Sequence, residues 1–92
     1  MKQLEENFIG KGQVRGFDFT QIKKSKHAYI YCVLTGTSTH YEVFFHKENN
    51  HFNCISYPGD ASFGSWAWTY GSLDLAIEKF EELNLRKELQ NG

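Results

Sequence analysis

The sequence predicts an α+β fold: a single antiparallel sheet of four to five strands with one C-terminal helix packed on one face. Three observations predict it. Between residues 13 and 70, segments rich in Tyr, Phe, Ile, Val and Thr alternate with short clusters of Gly, Asn, Ser and Thr, the pattern of strands separated by turns. After Ser72 the period changes, and Leu73, Ala76, Ile77, Phe80 and Leu83 fall on one stripe at helical spacing. With 92 residues, 40% hydrophobic and 16% aromatic content and a single proline, the chain is one folded domain, large enough for a single core and too small for a core plus a separate catalytic domain. The expected organisation is one domain over 1–92, with a short N-terminal helix or arm over 1–12, the sheet over 13–70 and the helix over 72–90.

Leu4 and Phe8 stand four apart, with Gly10 able to end a turn, which suggests a short helix over residues 2–9. Gln13 to Lys23 alternates around Phe17 and Phe19 as a strand does, and Lys23, Lys24, Ser25 and Lys26 form a polar connection. His27 to Thr35 is apolar on both faces, as expected in mid-sheet. Gly36 to Thr39 is a turn cluster and His40 to Lys47 the next strand. Asn49-Asn50 accepts positive φ and suits a two-residue hairpin turn into His51–Tyr57. Pro58 to Ser65 is a loop, and Trp66 to Tyr70 a short strand. Ser72 is a suitable helix N-cap, with Asp74 in the first turn. Asn84 can end the helix in a left-handed conformation, folding Leu85 back on Phe80. A helix that continues instead presents Leu85 and Leu89 as a second apolar face suited to a partner.

Turns at Thr37-Ser38 and Asn49-Asn50 set Ile30 opposite Phe45, Cys32 opposite Val43, Leu34 opposite Tyr41 and Phe45 opposite Cys54. One face then carries Ala28, Ile30, Cys32, Leu34, Tyr41, Val43, Phe45, Phe52 and Cys54 and lies beneath the helix. The reverse carries Tyr29, Tyr31, Val33, Glu42, Phe44, His46, Asn53, Ile55 and Tyr57. One helix covers one face. The aromatic reverse is therefore either covered by the N-terminal segment, with Phe8, Phe17 and Phe19, or open as a binding surface.

Net charge is −1, with six Lys/Arg against three Asp/Glu over residues 1–27 and four against eight over 28–92. The overall balance builds in no attraction to phosphates. No run reaches the ~20 apolar residues of a membrane helix, and the start lacks the apolar core of a signal peptide, so a cytoplasmic protein with no membrane contact is expected. In that register Cys32 and Cys54 sit two strands apart, beyond disulfide reach, and are expected as buried thiols. His40, His46 and His51 with Cys54 do not reproduce the spacing of a zinc site, and His46 and His51 are expected as cross-strand partners of Asn53 and Glu48. No nucleophile stands with a companion base at recognisable spacing. No catalytic residues, metal or cofactor are expected, and the protein reads as a non-enzyme.

Arg15-Gly16-Phe17-Asp18-Phe19 resembles half of the RNA-recognition-motif signature, in which spaced aromatics stack bases, although Asp18 stands where that pattern has a small residue. Tyr41-Glu42-Val43-Phe44 followed by Gly71-Ser72, Ala76 and Phe80 resembles the tail of the tryptophan-glycine-arginine (WGR) domain over residues 29–87. His46-Lys47-Glu48 replaces its defining triplet, so no DNA-contacting residue carries over. Tyr41–Phe44, Ser56–Gly59, Phe63–Trp68 and Ala76–Phe80 together resemble short bacterial and phage proteins with a YEVF, SYPG, FGxWAW and AxxxF pattern. The architecture is similar to small phage anti-defence proteins of the anti-CRISPR type, which implies inhibition by docking on a larger assembly such as a CRISPR effector.

The functional expectation is a small non-enzymatic binding protein, an inhibitor or accessory factor docking on a larger protein or ribonucleoprotein. Tyr29, Tyr31, Phe44, His46, Tyr57, Trp66 and Trp68 are its expected partner-binding residues on the aromatic face. An RNA- or DNA-binding module using Lys11, Arg15, Lys23, Lys24 and Lys26 is the alternative. A structural homo-oligomer, using the same face or Leu85 and Leu89, is the third reading.

Overall fold

A computed structural model describes residues 1–91. Within them the chain runs through strands β1 (Asn7–Ile9), β2 (Asp18–Lys24), β3 (Ala28–Leu34), β4 (Thr39–Phe45), β5 (Glu48–Asn49), β6 (Cys54–Ile55) and β7 (Ala67–Tyr70) to the helix α1 (Leu73–Asn91). Strands β1-β2-β3-β4-β7, in that order, form one antiparallel sheet, and β5 and β6 form a separate ribbon. The α+β class, the five-stranded antiparallel sheet and the C-terminal helix on it are as the sequence predicts.

The β3–β4 register differs from expectation by two residues. Ile30 stands opposite Val43, Cys32 opposite Tyr41 and Ala28 opposite Phe45. The cause is the turn, which centres on Gly36-Thr37: Gly36 takes φ 95°, the Thr35 amide donates to the Ser38 carbonyl at 3.0 Å, and the Ser38 amide donates to Thr35 Oγ1 at 3.0 Å. Glycine supplies the positive φ that a two-residue hairpin turn needs, so the turn sits one residue earlier than Thr37-Ser38. A shift of two residues preserves alternation, so the faces stay as expected. Ala28, Ile30 and Val43 pack with Ala76, Phe80 and Leu83 beneath the helix, flanked by Tyr41, Phe45, Trp68, Tyr70 and Ile77.

The second hairpin is a larger departure. The expected pairing of Phe45 with Cys54 does not form; Glu48 pairs with Ile55 and Asn49 with Cys54 around a four-residue connection. Asn49 Oδ1 accepts the Phe52 amide at 3.2 Å, and Asn53, not Asn49 or Asn50, takes the positive φ of 52°. The side chain of Asn49 thus closes its own turn and lengthens it. The ribbon leaves the sheet, and β7 pairs with β4 instead, Val43 opposite Trp68. Phe52 and Cys54 are accordingly not on the helix-covered face, and His46 and His51 do not pair with Asn53 and Glu48 as expected. Cys32 and Cys54 are both free thiols, half-buried rather than buried, in different sheets.

Residues 1–12 hold no α-helix. Asn7–Ile9 pairs with β2, with Phe8 opposite Phe19, and Lys2 bridges to Cys54. A spacing of four satisfies a strand as well as a helix, because Leu4 and Phe8 share a parity; packing decides between them. Phe8 stacks on Phe19 with centroids 4.7 Å apart and planes within 4°, and Asn7 Nδ2 donates to Asp18 and Thr20 at 2.9 Å. The helix α1 continues through Asn84. There the Asn84 amide donates to the Phe80 carbonyl at 3.0 Å, and its oxygen accepts from Ser25 Oγ at 2.5 Å, tying α1 to the β2–β3 turn.

Candidate functional site

The aromatic reverse face is closed. Tyr29, Tyr31 and Phe44 are at most 2% exposed and form a core layer with Phe19, Val33, Ile55 and Ala67. Leu4, Phe8 and Phe17 from the N-terminal segment, and Tyr57, Phe63 and Trp66 from the long connection between β4 and β7, lie over it. Tyr31 Oη donates to the Glu5 carbonyl at 2.6 Å and accepts from Gln21 Nε2 at 2.9 Å, which pins the N-terminal arm down. Of the two readings of this face, the covered one is correct. The expected partner anchors Tyr29, Tyr31 and Phe44 are core residues, because burying these rings stabilises the fold by roughly 1.5–3 kcal/mol each. Phe19 is likewise buried and Phe17 half-buried, so the pair that resembles an RNA-binding strand offers no open stacking platform.

The other expected anchors are half-buried at the edges. His46 sits edge-on to Tyr29 at 5.9 Å. Trp66 lies against Phe44 at 6.3 Å with Lys47 Nζ over its ring at 4.8 Å. Trp68 is on the opposite face, beside Phe45 and beneath Lys79 Nζ at 4.2 Å. The two tryptophans flank opposite sides of β7 and do not form one surface.

Lys11, Arg15, Lys23, Lys24 and Lys26 are all exposed but are not brought together. Lys11 and Arg15 precede β2, while Lys23 and Lys24 end it and Lys26 lies in the turn beyond. The seven residues of β2 put about 20 Å between the two groups. Lys23 Nζ is also turned over the Phe80 ring at 5.5 Å.

Two features stand out on the surface. The first is the outward side of α1. Leu85 is 58% and Leu89 73% exposed, four residues apart and so on one line, with exposed Glu78, Glu81, Glu82 and Glu88 around them. Lys79 Nζ and Arg86 pair with Glu82 at 2.7 and 3.1 Å, and the Lys79 hydrogen bond holds that exposed carboxyl below its usual range.

The second is a cleft of ≈580 Å³ between β1, the loop after it and the segment around Pro58. Gly10 shapes one wall: a Cβ there would stand 2.9 Å from Phe19 Cε1 and would collide with the Val14 carbonyl, so only glycine lets the Gly12–Val14 turn fold back this closely. Phe8, Phe19, Val14, Pro58 and Phe63 supply apolar wall, and Glu42 reaches the cleft from β4. The Glu42 carboxylate accepts from Tyr57 Oη at 2.5 Å and lies 3.1 Å from His40 Nε2. Burial, reinforced by that carboxylate, pushes the Tyr57 phenol far above its usual range, so Tyr57 stays a donor. Glu42 is absent from the expected site residues. Its signal is in the strand itself: a carboxylate alternating onto the same face as Tyr31 and Phe44 is out of place in an apolar layer.

Among the described residues, no group of three or more His, Cys, Asp or Glu is placed to hold a metal ion. Burial, with Asp18 nearby, pushes the Cys32 thiol up, away from nucleophilic character. Among the described residues, no helix is long and apolar enough to cross a membrane. In comparisons with known proteins, no family model, curated protein or solved structure matches the chain.

Proposed function

We propose that the protein is a cytoplasmic, non-enzymatic binding protein, an inhibitor or accessory factor that docks on a larger protein or ribonucleoprotein through the outward side of α1. The observation that carries this reading is the exposure of Leu85 and Leu89 on a helix that runs past Asn84. Large aliphatic side chains four apart on a helix surface are the anchors of helix-in-groove recognition. The acidic residues beside them favour an apolar groove with a basic rim. Leu85 and Leu89 take the role of anchors because Tyr29, Tyr31 and Phe44 are buried.

Leu85→Ser together with Leu89→Ser leaves the core untouched and tests the reading. The immobilised wild type is expected to capture a partner from bacterial lysate in the presence of nuclease, and the folded double variant to lose it. Capture that vanishes with nuclease and weakens steeply with salt moves nucleic acid, through the exposed lysines, into first place. Sedimentation that shows a wild-type dimer and a monomeric variant assigns the same leucines to self-association.

A further inference from the structure

We infer that the cleft between β1 and the Pro58 segment binds a small organic cation, an ammonium carried on an apolar body, with Glu42 as its charge partner. Three features of the cleft support this independently of the docking helix. Its ≈580 Å³ volume is that of a small-molecule site, and sites of this size are mostly apolar with a few placed polar groups. Phe8, Val14, Phe19 and Phe63 form such a lining. The placed polar group is Glu42, whose side chain is only 14% exposed and makes no ion pair with Lys or Arg among the described residues.

A carboxylate in an apolar layer costs stability unless it is paired. Here Tyr57 and His40 engage its two oxygens, one each, at 2.5 and 3.1 Å. Each oxygen keeps a further acceptor position, which a ligand N–H can take. An aromatic ring attracts a cation over its face and not an anion, and Phe8 and Phe63 bring such rings to the lining. Glu5 and Asp60 at the rim reinforce that sign, and Lys11 is the one basic residue of the lining. The lining thus carries three carboxylates against one ammonium, which selects against an acid of the same shape.

The probe is 2-phenylethylammonium, read by ¹H–¹⁵N spectra of the intact protein. Saturable shifts are expected at Phe8, Val14, Tyr57 and Phe63, with affinity at least tenfold weaker for the neutral 2-phenylethanol and none for phenylacetate. Glu42→Gln is expected to remove the preference for the cation while retaining weak binding of the alcohol. Equal response to all three probes, or shifts confined to residues outside the cleft, would overturn the assignment. So would an undiminished preference in folded Glu42→Gln. If that variant does not fold, the three wild-type titrations decide alone. Loss of partner capture in the α1 variant leaves this result unaffected, so the two readings fail separately.

Discussion

Tyr57 joins the aromatic layer to the cleft. Its ring meets Phe8, Phe19, Tyr31 and Phe44 at centroid distances of 4.9–5.6 Å, and its hydroxyl donates to Glu42. Burial raises the phenols of Tyr29, Tyr31 and Tyr57 above their ordinary value near 10. In the unfolded chain those phenols titrate near 10, so the folded state binds the proton more tightly. The contribution to stability is complete below about pH 10 and is lost as pH rises toward the folded-state values, by up to about 1.4 kcal/mol per pH unit for each phenol. The phenolate absorbance of these three rings near 295 nm is therefore expected to appear only with the loss of far-ultraviolet dichroism. Tyr57→Phe, which removes a hydrogen bond to a carboxylate, is expected to lower stability by about 1.5–3 kcal/mol. Titration of Tyr29, Tyr31 and Tyr57 before unfolding would show the layer to be open to water.

Helix α1 separates two kinds of leucine. Leu83 is 0% exposed and packs with Ile30, Val43 and Phe80, whereas Leu85, two residues on, faces outward. Leu83→Ala is expected to cost about 2–5 kcal/mol, and Leu85→Ala less than about 0.5 kcal/mol, as urea midpoints with an unchanged slope will report. The buried stripe is legible in the sequence because the 3.6-residue period runs unbroken from Ala76 to Leu83. The helix-facing side of β3 and β4 is legible for a different reason: misplacing the turn by one residue shifts register by two and leaves every side chain on its face. The β5–β6 ribbon is not legible from alternation. Its geometry depends on whether Asn49 takes positive φ or captures the Phe52 amide, and both are ordinary for asparagine. The extent of α1 is equally ambiguous at Asn84, whose side chain is satisfied by Ser25, 59 residues away. Contacts of such long range leave no periodic trace.

At the scale of the whole molecule, the sheet is a central layer with two different covers: a single helix on one side, and a strand edge plus a long connection on the other. The second cover decides what the protein can use for binding. It buries the richest aromatic surface of the chain, while the outer side of α1 and the cleft beneath Glu42 stay open to solvent. The cover was not readable from composition, since Phe8, Phe17 and Phe19 suit either a lid or an exposed platform; the stack of Phe8 on Phe19 resolves it. Tyr31→Ala together with Phe44→Ala tests this division most directly. Each substitution removes a fully buried ring at about 3–5 kcal/mol, and the rings are 5.7 Å apart, so their effects will not simply add. The combined loss is comparable with the whole stability of a domain this size, about 5–15 kcal/mol. The double variant is expected to lose near-ultraviolet dichroism and cooperative unfolding together. A cooperatively folded variant would mean that the N-terminal arm and the Pro58 segment can lift from the sheet, and that the aromatic face is available to a partner after all.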